Sequence, residues 1–389
     1  VTKHRVPRSA VHRIVCAVVA AEFRRQRGTD HPDAAKGDWP ASTPIGDNGL
    51  GLDSVEQLGA LGALAVAFDL DDSLLSDDPP QMVGAWVDWV MHAHVEGNGR
   101  ITVATSGSTG SPRPCVHDVV DMIDEAAFLA TQFTGRRRVV ALVPAHHLYG
   151  MIWTALLPDA LGVPVVVRAI GAPLRLAASD LVIAVPEQWQ AFVRIVRRFP
   201  EDVIGVSSAG FLNDSVAAGL LAAGLTRLVD VYSSSETGGI AMRDVPANGY
   251  DLLPRWRLSE HGDEDWRLVD RHGRFYDLPD FVERIGDSTL RPIGRRDGAV
   301  QVGGRNVWPE RVANSLRTVD GVADVAVRLH AHGRLKAFVV PKPDHDPVQL
   351  SARIEHFMVI RLADQERPKG FRFGPALPRN AMGKLEDWA

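Results

Sequence analysis

The sequence has little cysteine. Cys16 and Cys115 are the only two among 389 residues, too few for a disulfide framework or a cysteine-rich zinc site, and in keeping with a reducing cytoplasm. It also lacks a basic block. Forty-three Lys and Arg against 48 Asp and Glu leave a formal charge of -5, with no footprint for a phosphate backbone, so nucleic acid is not an expected partner. No apolar run approaches the roughly 20 residues needed to span a bilayer: the most apolar region, 139–170, is broken by His146, His147, Pro158 and Asp159. No membrane association is expected. What is present is a composition 45% hydrophobic and 23% charged, enough to bury a sizeable core and to divide into two or three domains.

The first residues carry basic side chains before a short apolar stretch, as a secretion signal does. Val11, Ile14, Val15, Val18 and Phe23 recur at helical spacing, however, and the pattern runs on through Glu22, Arg24 and Arg25, which predicts an amphipathic helix. A second helix is predicted from Ser54, with Val55, Leu58, Leu61, Ala65 and Phe68 on one face, and a third carries Met82, Trp86 and Val90. Residues 8–95 thus read as a helical bundle. From Ile101 short β-branched runs alternate with helical stretches (139–143, 165–167, 181–185, 203–206 and 228–231). That alternation predicts an α/β core over 99–293, built on βαβ crossovers and a mainly parallel sheet whose ligands bind beyond the strands' carboxyl ends. Residues 294–389 read as a small α+β domain.

The strongest chemical signal follows the strand 101–104. Thr105-Ser106-Gly107-Ser108-Thr109-Gly110-Ser111-Pro112-Arg113 sets two glycines, several hydroxyls and consecutive N–H groups in one run, a cradle for polyphosphate. It is not a P-loop, since the Gly-Lys-Ser/Thr ending is missing. The run resembles the phosphate loop of the adenylate-forming superfamily of acyl-CoA synthetases, peptide-synthetase adenylation domains and luciferases. Further matches follow in chain order as far as Lys384.

The resemblance implies ATP and Mg2+ and assigns roles to these residues. In Pro144-Ala145-His146-His147-Leu148-Tyr149-Gly150, His147 falls where the family lines its acid pocket. Ser207-Ser208-Ala209-Gly210-Phe211-Leu212 resembles the loop on the adenine face, with Ser207, Ala209 and Gly210 as binding residues and Phe211 in place of a usual proline. Tyr232-Ser233-Ser234-Ser235-Glu236-Thr237-Gly238 resembles Tyr-Gly-x-Thr-Glu-Thr, with Tyr232 on adenine, Ser233 and Ser235 near phosphate, and Glu236 on the metal. Asp280, fifteen residues before Arg295, falls on the aspartate that accepts from the ribose hydroxyls, with Asp287 as its rival. Arg295 would contact ribose or phosphate, Asp297 would be the hinge of a mobile C-terminal domain, and Gly303-Gly304-Arg305 would border the thiol channel. Leu377-Pro378-Arg379-Asn380-Ala381-Met382-Gly383-Lys384 resembles the catalytic loop, whose lysine brings positive charge to the α-phosphate.

The N-terminal bundle replaces a larger portion of ordinary members, so the core is a truncated one, and the acid pocket is left to be completed by the bundle or by a second subunit of a homodimer. Leu50-Gly51-Leu52-Asp53-Ser54-Val55-Glu56 resembles the acyl-carrier-protein motif, whose serine, here Ser54, receives phosphopantetheine. Ser54 with Gln57, or Asp53 with Glu56, equally spells a helix-capping box. Tyr149, Trp153 and Trp189 suggest an aromatic pocket, or alternatively core. The resemblance implies a cytoplasmic ligase that activates a carboxylic acid, of aryl or hydroxybenzoate type, as its adenylate and passes it to the pantetheine thiol of an acyl carrier protein, to Ser54-linked pantetheine or to CoA, in that order. Transfer to a non-thiol nucleophile and an inactive nucleotide-binding scaffold are the other readings.

Overall fold

The computed structural model describes residues 6–27, 38–70, 80–96, 99–104, 113–169, 172–262, 265–303, 305–343, 345–379 and 385–388. They fall into two compact units, one of residues 1–277 with 284–291, the other of 278–283 with 292–389. In the larger unit three helices come first, α1 (Arg8–Arg27), α2 (Ser54–Phe68) and α3 (Val83–Glu96), then an antiparallel ribbon of β1 (Arg100–Ala104) and β2 (Pro114–Asp118). Next come α4 (Val119–Gln132), β3 (Arg138–Ala141), α5 (Leu148–Met151), a π-helical turn (Ile152–Leu156) and α6 (Leu157–Leu161). After these run β4 (Val165–Val167), β5 (Asp180–Ala184), α7 (Pro186–Ile195), β6 (Ile204–Ser207), α8 (Asp214–Ala222), β7 (Arg227–Ser234), β8 (Gly238–Asp244) and β9 (Tyr250–Leu252).

Strands β4, β3, β5, β6 and β7 lie side by side in parallel. Beyond β7 the sheet turns antiparallel through β8 and β9. The expectation of a mainly parallel sheet is therefore corrected to a mixed one. The alternation of side chains sends Val139, Leu181 and Ile183 to one face and Val140, Val182 and Ala184 to the other. Trp189 and Phe192 of α7 and Leu220 of α8 close the second face. Gly205 of β6 makes this closure tight: a Cβ there would stand 2.7 Å from the Trp189 ring.

The helical segment 8–95 does not form a core of its own. Ala10 to Ala20 of α1 are buried apart from half-buried His12 and Arg13, and Ile14 and Val15 belong to one continuous apolar cluster with Leu64, Trp86, Val139 and Ile183. The expected carrier-like bundle is not confirmed: the described helices share their apolar cluster with the sheet. The face predicted for α2 is corrected as well. Val55 and Leu58 are exposed, while Ala60, Leu61, Leu64, Ala67 and Phe68 point inward. The cap is Asp53, whose Oδ1 accepts from Val55 and Glu56 N–H while Glu56 Oε2 accepts from Asp53 N–H. Ser54 is left exposed at the first helical position.

The larger unit also holds an antiparallel sheet of β10 (Arg257–Glu260), β11 (Trp266–Val269) and β12 (Phe275–Asp277). The chain passes between the units along β13 (Asp280–Arg284) and β14 (Thr289–Arg295). The smaller unit continues with a hairpin of β15 (Val300–Val302) and β16 (Arg305–Val307), then α9 (Pro309–Arg317), β17 (Val322–Leu329), β18 (Leu335–Pro341), α10 (Pro347–Arg361) and β19 (Gly370–Phe373). Strands β17, β18 and β19 form one sheet, and Val325, Val327, Ala337 and Val339 pack on Val312 and Leu316 of α9 and Leu350 and Ile354 of α10. Among the described residues no helix is long and apolar enough to cross a membrane.

Candidate functional site

In the larger unit the candidate residues gather where the parallel strands end. Thr105, Ser106, Gly107, Ser108, Thr109 and Gly110 lie outside the described residues, but the two arms that carry them are β1 and β2, paired as far as Ala104 and Pro114. Arg113 is exposed at the start of the returning arm. Farther along that arm, the buried His117 donates from Nε2 to the Ser235 carbonyl at 2.8 Å, so the β1–β2 ribbon is tied to the turn that bears Glu236. Burial lowers the imidazole pKa, which keeps the ring neutral in this role.

Ser207 ends β6 and Ser208 follows it, and Tyr232, Ser233 and Ser234 end the neighbouring β7. Ser208 Oγ donates to the Val231 carbonyl at 2.8 Å and stands 3.0 Å from Ser233 Oγ, joining the two strand ends. Among the described residues Ser207 Oγ, fully buried, has no hydrogen-bond partner, and a group of that kind costs free energy unless a ligand or water satisfies it. Ala209 follows at φ +66°, a strained left-handed conformation of the sort that clusters at ligand sites, next to half-buried Gly210 and exposed Phe211.

Tyr232 is braced from behind by Tyr250, whose ring centroid is 6.1 Å away at 63°. Tyr250 in turn donates to Asp230 Oδ2 at 2.6 Å and lies under Arg243, which pairs with the same carboxylate at 2.9 Å. Ser234 Oγ accepts from the N–H groups of Glu236 and Thr237. This folds the turn so that Glu236 is exposed, with the half-buried Ser235 preceding it. Among the described residues no three of His, Cys, Asp and Glu form a metal-binding group. A divalent cation here would have one protein carboxylate, with waters and phosphate oxygens completing its shell, which is how magnesium is commonly held. The donor set fits.

His147 is exposed at the N-cap of α5, its ring 4.1 Å from that of His146. Burial, with His147 and Arg24 nearby, lowers His146 to a pKa of about 3, so it is neutral. Tyr149 locks this segment in place, its hydroxyl within hydrogen-bond reach of the Ala184 and Val206 carbonyls at 3.1 and 3.0 Å. The aromatic pocket is not formed by the tryptophans: Trp153 packs on Phe133 and Trp189 on Phe192, both fully buried.

Glu125 of α4 lines a cavity of about 260 Å³ together with Arg255 and Arg271. Burial pushes its carboxyl up to about 7, against the opposing pull of Arg255 and of the Gly239 N–H. Gly239 leaves room for this carboxyl, since a Cβ would lie 2.5 Å from Glu125 Oε1 and the side chain would have to shift. A carboxyl whose pKa is raised on folding contributes stability below its unfolded pKa, and that contribution fades as pH climbs toward 7. Glu125→Gln, which keeps an acceptor for Gly239, is therefore expected to match the parent below about pH 4 and to exceed it by on the order of 2 kcal/mol above about pH 8. Thermal unfolding of both proteins across that range checks this, and parallel curves would contradict it.

In the smaller unit Arg295 and Asp297 form a two-point ion pair (3.1 and 2.8 Å), and Arg295 stands 4.0 Å from Asp280. Burial alone would raise the Asp297 carboxyl, but the Arg295 guanidinium and the Ala299 N–H outweigh it and hold the pKa below its ordinary value. The rival Asp287 is fully exposed and paired with Arg284 instead. Gly303, at φ +54°, and the exposed Arg305 sit at the tip of the β15–β16 hairpin. Gly304 and Lys384 lie outside the described residues. Sequence reasoning missed His117, Ser208, Tyr250, Asp230 and Glu125. An acid inside the apolar run 228–231 was the one available signal, and it concerned Asp230 alone.

The family model for the AMP-binding enzyme C-terminal domain matches residues 311–384. The chain is 36% identical to a 4-coumarate–CoA ligase of Halorhodospira halophila over 97% of its own length and 98% of the relative's. It is also 36% identical to a 4-coumarate–CoA ligase of Rhodobacter capsulatus over 97% and 100%. In fold it is similar to an o-succinylbenzoate CoA synthetase of Bacillus subtilis, with a TM-score of 0.57, 19% identity and coverage of 73% of this chain and 67% of the other.

Proposed function

The chain belongs to the adenylate-forming superfamily as an AMP-forming acid–thiol ligase of the acyl-CoA synthetase type, and from that premise we propose that it activates a hydroxyaryl carboxylic acid with ATP and transfers the acyl group to CoA. The observation that carries this reading is the convergence of Ser207–Ser208 with Tyr232–Glu236 at adjacent strand ends, around a buried hydroxyl with no partner among the described residues.

In the first step a carboxylate oxygen attacks the α-phosphorus, the bond to the bridging oxygen breaks, and pyrophosphate leaves. Tyr232, held against Tyr250, offers its face to adenine, and Ser207, Ala209 and Gly210 border the same ring. Ser233, Ser235 and the loop 105–110 with Arg113 donate to phosphate oxygens. Glu236 would hold magnesium, which when bound draws negative charge off those oxygens. Asp280 accepts from the ribose hydroxyls, with Arg295 beside it. Lys384 supplies a point cation where charge develops on the entering and bridging oxygens. In the second step a thiolate attacks the acyl carbon and AMP leaves. A turn of the smaller unit about Asp297 exchanges Lys384 for Gly303-Gly304-Arg305.

An acyl carrier protein was the first expectation for the acceptor. CoA now takes that place, because the two relatives that align over 97% of this chain are CoA ligases. Ser54-linked pantetheine ranks behind it, since the helices around Ser54 are part of the core of the sheet. The packing of α1 on the turn Ile152–Leu156 supports an acid pocket completed within one chain rather than by a second subunit.

The test is pyrophosphate release over a panel of aryl, hydroxyaryl and aliphatic acids, with thioester formation followed for CoA and for a loaded carrier protein. Hydroxyaryl acids, 4-coumarate included, are expected to exceed aliphatic acids at least about tenfold in kcat/KM, the scale of a difference of about 1.4 kcal/mol in transition-state binding. CoA is expected to be acylated in preference to the carrier. Absence of pyrophosphate with every acid would favour an inactive nucleotide-binding scaffold.

A further inference from the structure

The outer face of the β17–β18 pair is covered by the chain's own segment 385–388. Residues alternate along these strands, and the set that points away from α9 and α10 is Ala326 and Arg328 on β17 with Phe338 and Lys336 directly opposite on β18. Trp388 lies on this face. It is only 6% exposed, clustered with Ala326 and Phe338, and edge-on to the Phe338 ring at 5.8 Å and 72°.

Two cations fix its position. Lys336, itself 7% exposed, donates to the Trp388 carbonyl, pairs with Asp387 at 2.8 Å and lies over the indole at 5.3 Å. Arg328 donates to the Leu385 carbonyl at 2.7 Å and lies over the same indole at 5.7 Å. A buried lysine is desolvated at a cost, and here its charge is directed to the Trp388 carbonyl and the Asp387 carboxylate of this short segment. The same segment closes a turn: Leu385 bridges Arg379, and Glu386 N–H donates to the Pro378 carbonyl at 2.9 Å. Lys384 is the neighbour of Leu385 in the sequence.

We propose that Trp388, gripped by Lys336 and Arg328, is a positioning anchor for Lys384 in adenylate formation. This rests on the role given to Lys384 under Proposed function. A bulky indole keyed into a sheet face converts a flexible tail into a rigid support, and misplacement of a catalytic group by about 1 Å costs on the order of 10²-fold in rate. An anchor of this kind serves only the half-reaction that uses the lysine.

The experiment measures the two half-reactions separately on the full chain. One assay is ATP–pyrophosphate exchange with the acid selected by the panel, and the other is thioester formation from that acid's preformed adenylate and CoA. Trp388→Ala is expected to slow exchange by about 10²-fold with little change in the KM for ATP, and to leave thioester formation within about threefold, a margin below one tenfold step in free energy. Lys336→Met, which keeps the packing volume and removes the ammonium, should show the same split if Trp388→Ala folds poorly. Trp388→Phe should restore most of the exchange rate. In the Lys384→Ala background Trp388→Ala should have no further effect, because it acts through the lysine. Equal losses in both half-reactions, or full additivity with Lys384→Ala, overturn the anchor. If Lys384→Ala loses exchange while Trp388→Ala and Lys336→Met keep it, the anchor alone falls. If every variant keeps it, the role of the lysine falls too.

Discussion

Replacing Lys384 by alanine is expected to slow acyl-adenylate formation by about 10²–10³-fold, the range seen when one preorganised donor is taken from a developing oxyanion. The loss should appear in kcat with the KM for ATP little changed, since the lysine is proposed to act on the charge that develops in the transition state. Pyrophosphate exchange measures it directly. Thioester formation from preformed adenylate should survive, because in that step the thiolate attacks carbon and no charge builds on the α-phosphate. A variant with unchanged exchange would transfer the transition-state charge to other cations, Arg113 and Arg295 being the candidates in the proposed site.

The second large effect concerns stability. Ile14 of α1 is completely buried in the cluster that also holds Val139 and Ile183 of the sheet. Ile14→Ala is expected to cost about 2–5 kcal/mol, which for a unit of this size lowers the melting midpoint by roughly 5–15 °C. The larger unit should still melt in one step, with the fluorescence of Trp86, Trp153 and Trp189 changing together, because all three sit in apolar clusters of that unit. Adenylation should be lost over the same interval. A separate early transition confined to the helices would show instead that residues 8–95 fold as a domain of their own.

The parallel half of the sheet was legible because each of its strands is a short β-branched run between helical stretches, and the ends of β6 and β7 carry hydroxyl-rich motifs. The antiparallel half was not. Strands β8 and β9 mix glycine, arginine and aspartate, and their register is set by pairing, β8 with β7 and β9 with β8, rather than by an apolar period. Helix α2 misled for another reason. Its sequence SVEQLGALGALAVAF is apolar on several sides, so more than one stripe fits a helical spacing, and the buried one is chosen by small residues, Ala60 and Ala67, that admit close approach. His117 and Tyr250 were invisible for want of any local pattern. Each acts on a residue far away in the chain, His117 on Ser235 and Tyr250 on Tyr232, and such pairs exist only once the fold has formed.

The π-helical turn at Ile152–Leu156 has a consequence for how this lineage tolerates insertion and deletion. Such a turn holds one residue more than a regular α-helix of the same rise, and here the Thr154 carbonyl accepts from Arg13 Nε at 2.6 Å. Deleting a single residue would let the helix close in the ordinary way, with the segment upstream, His147 and Tyr149 included, keeping its phase because the bulge had taken up the surplus residue. The extra residue therefore marks a place where the helix can lose a residue without turning its neighbours, and α1 clasps that place through one guanidinium.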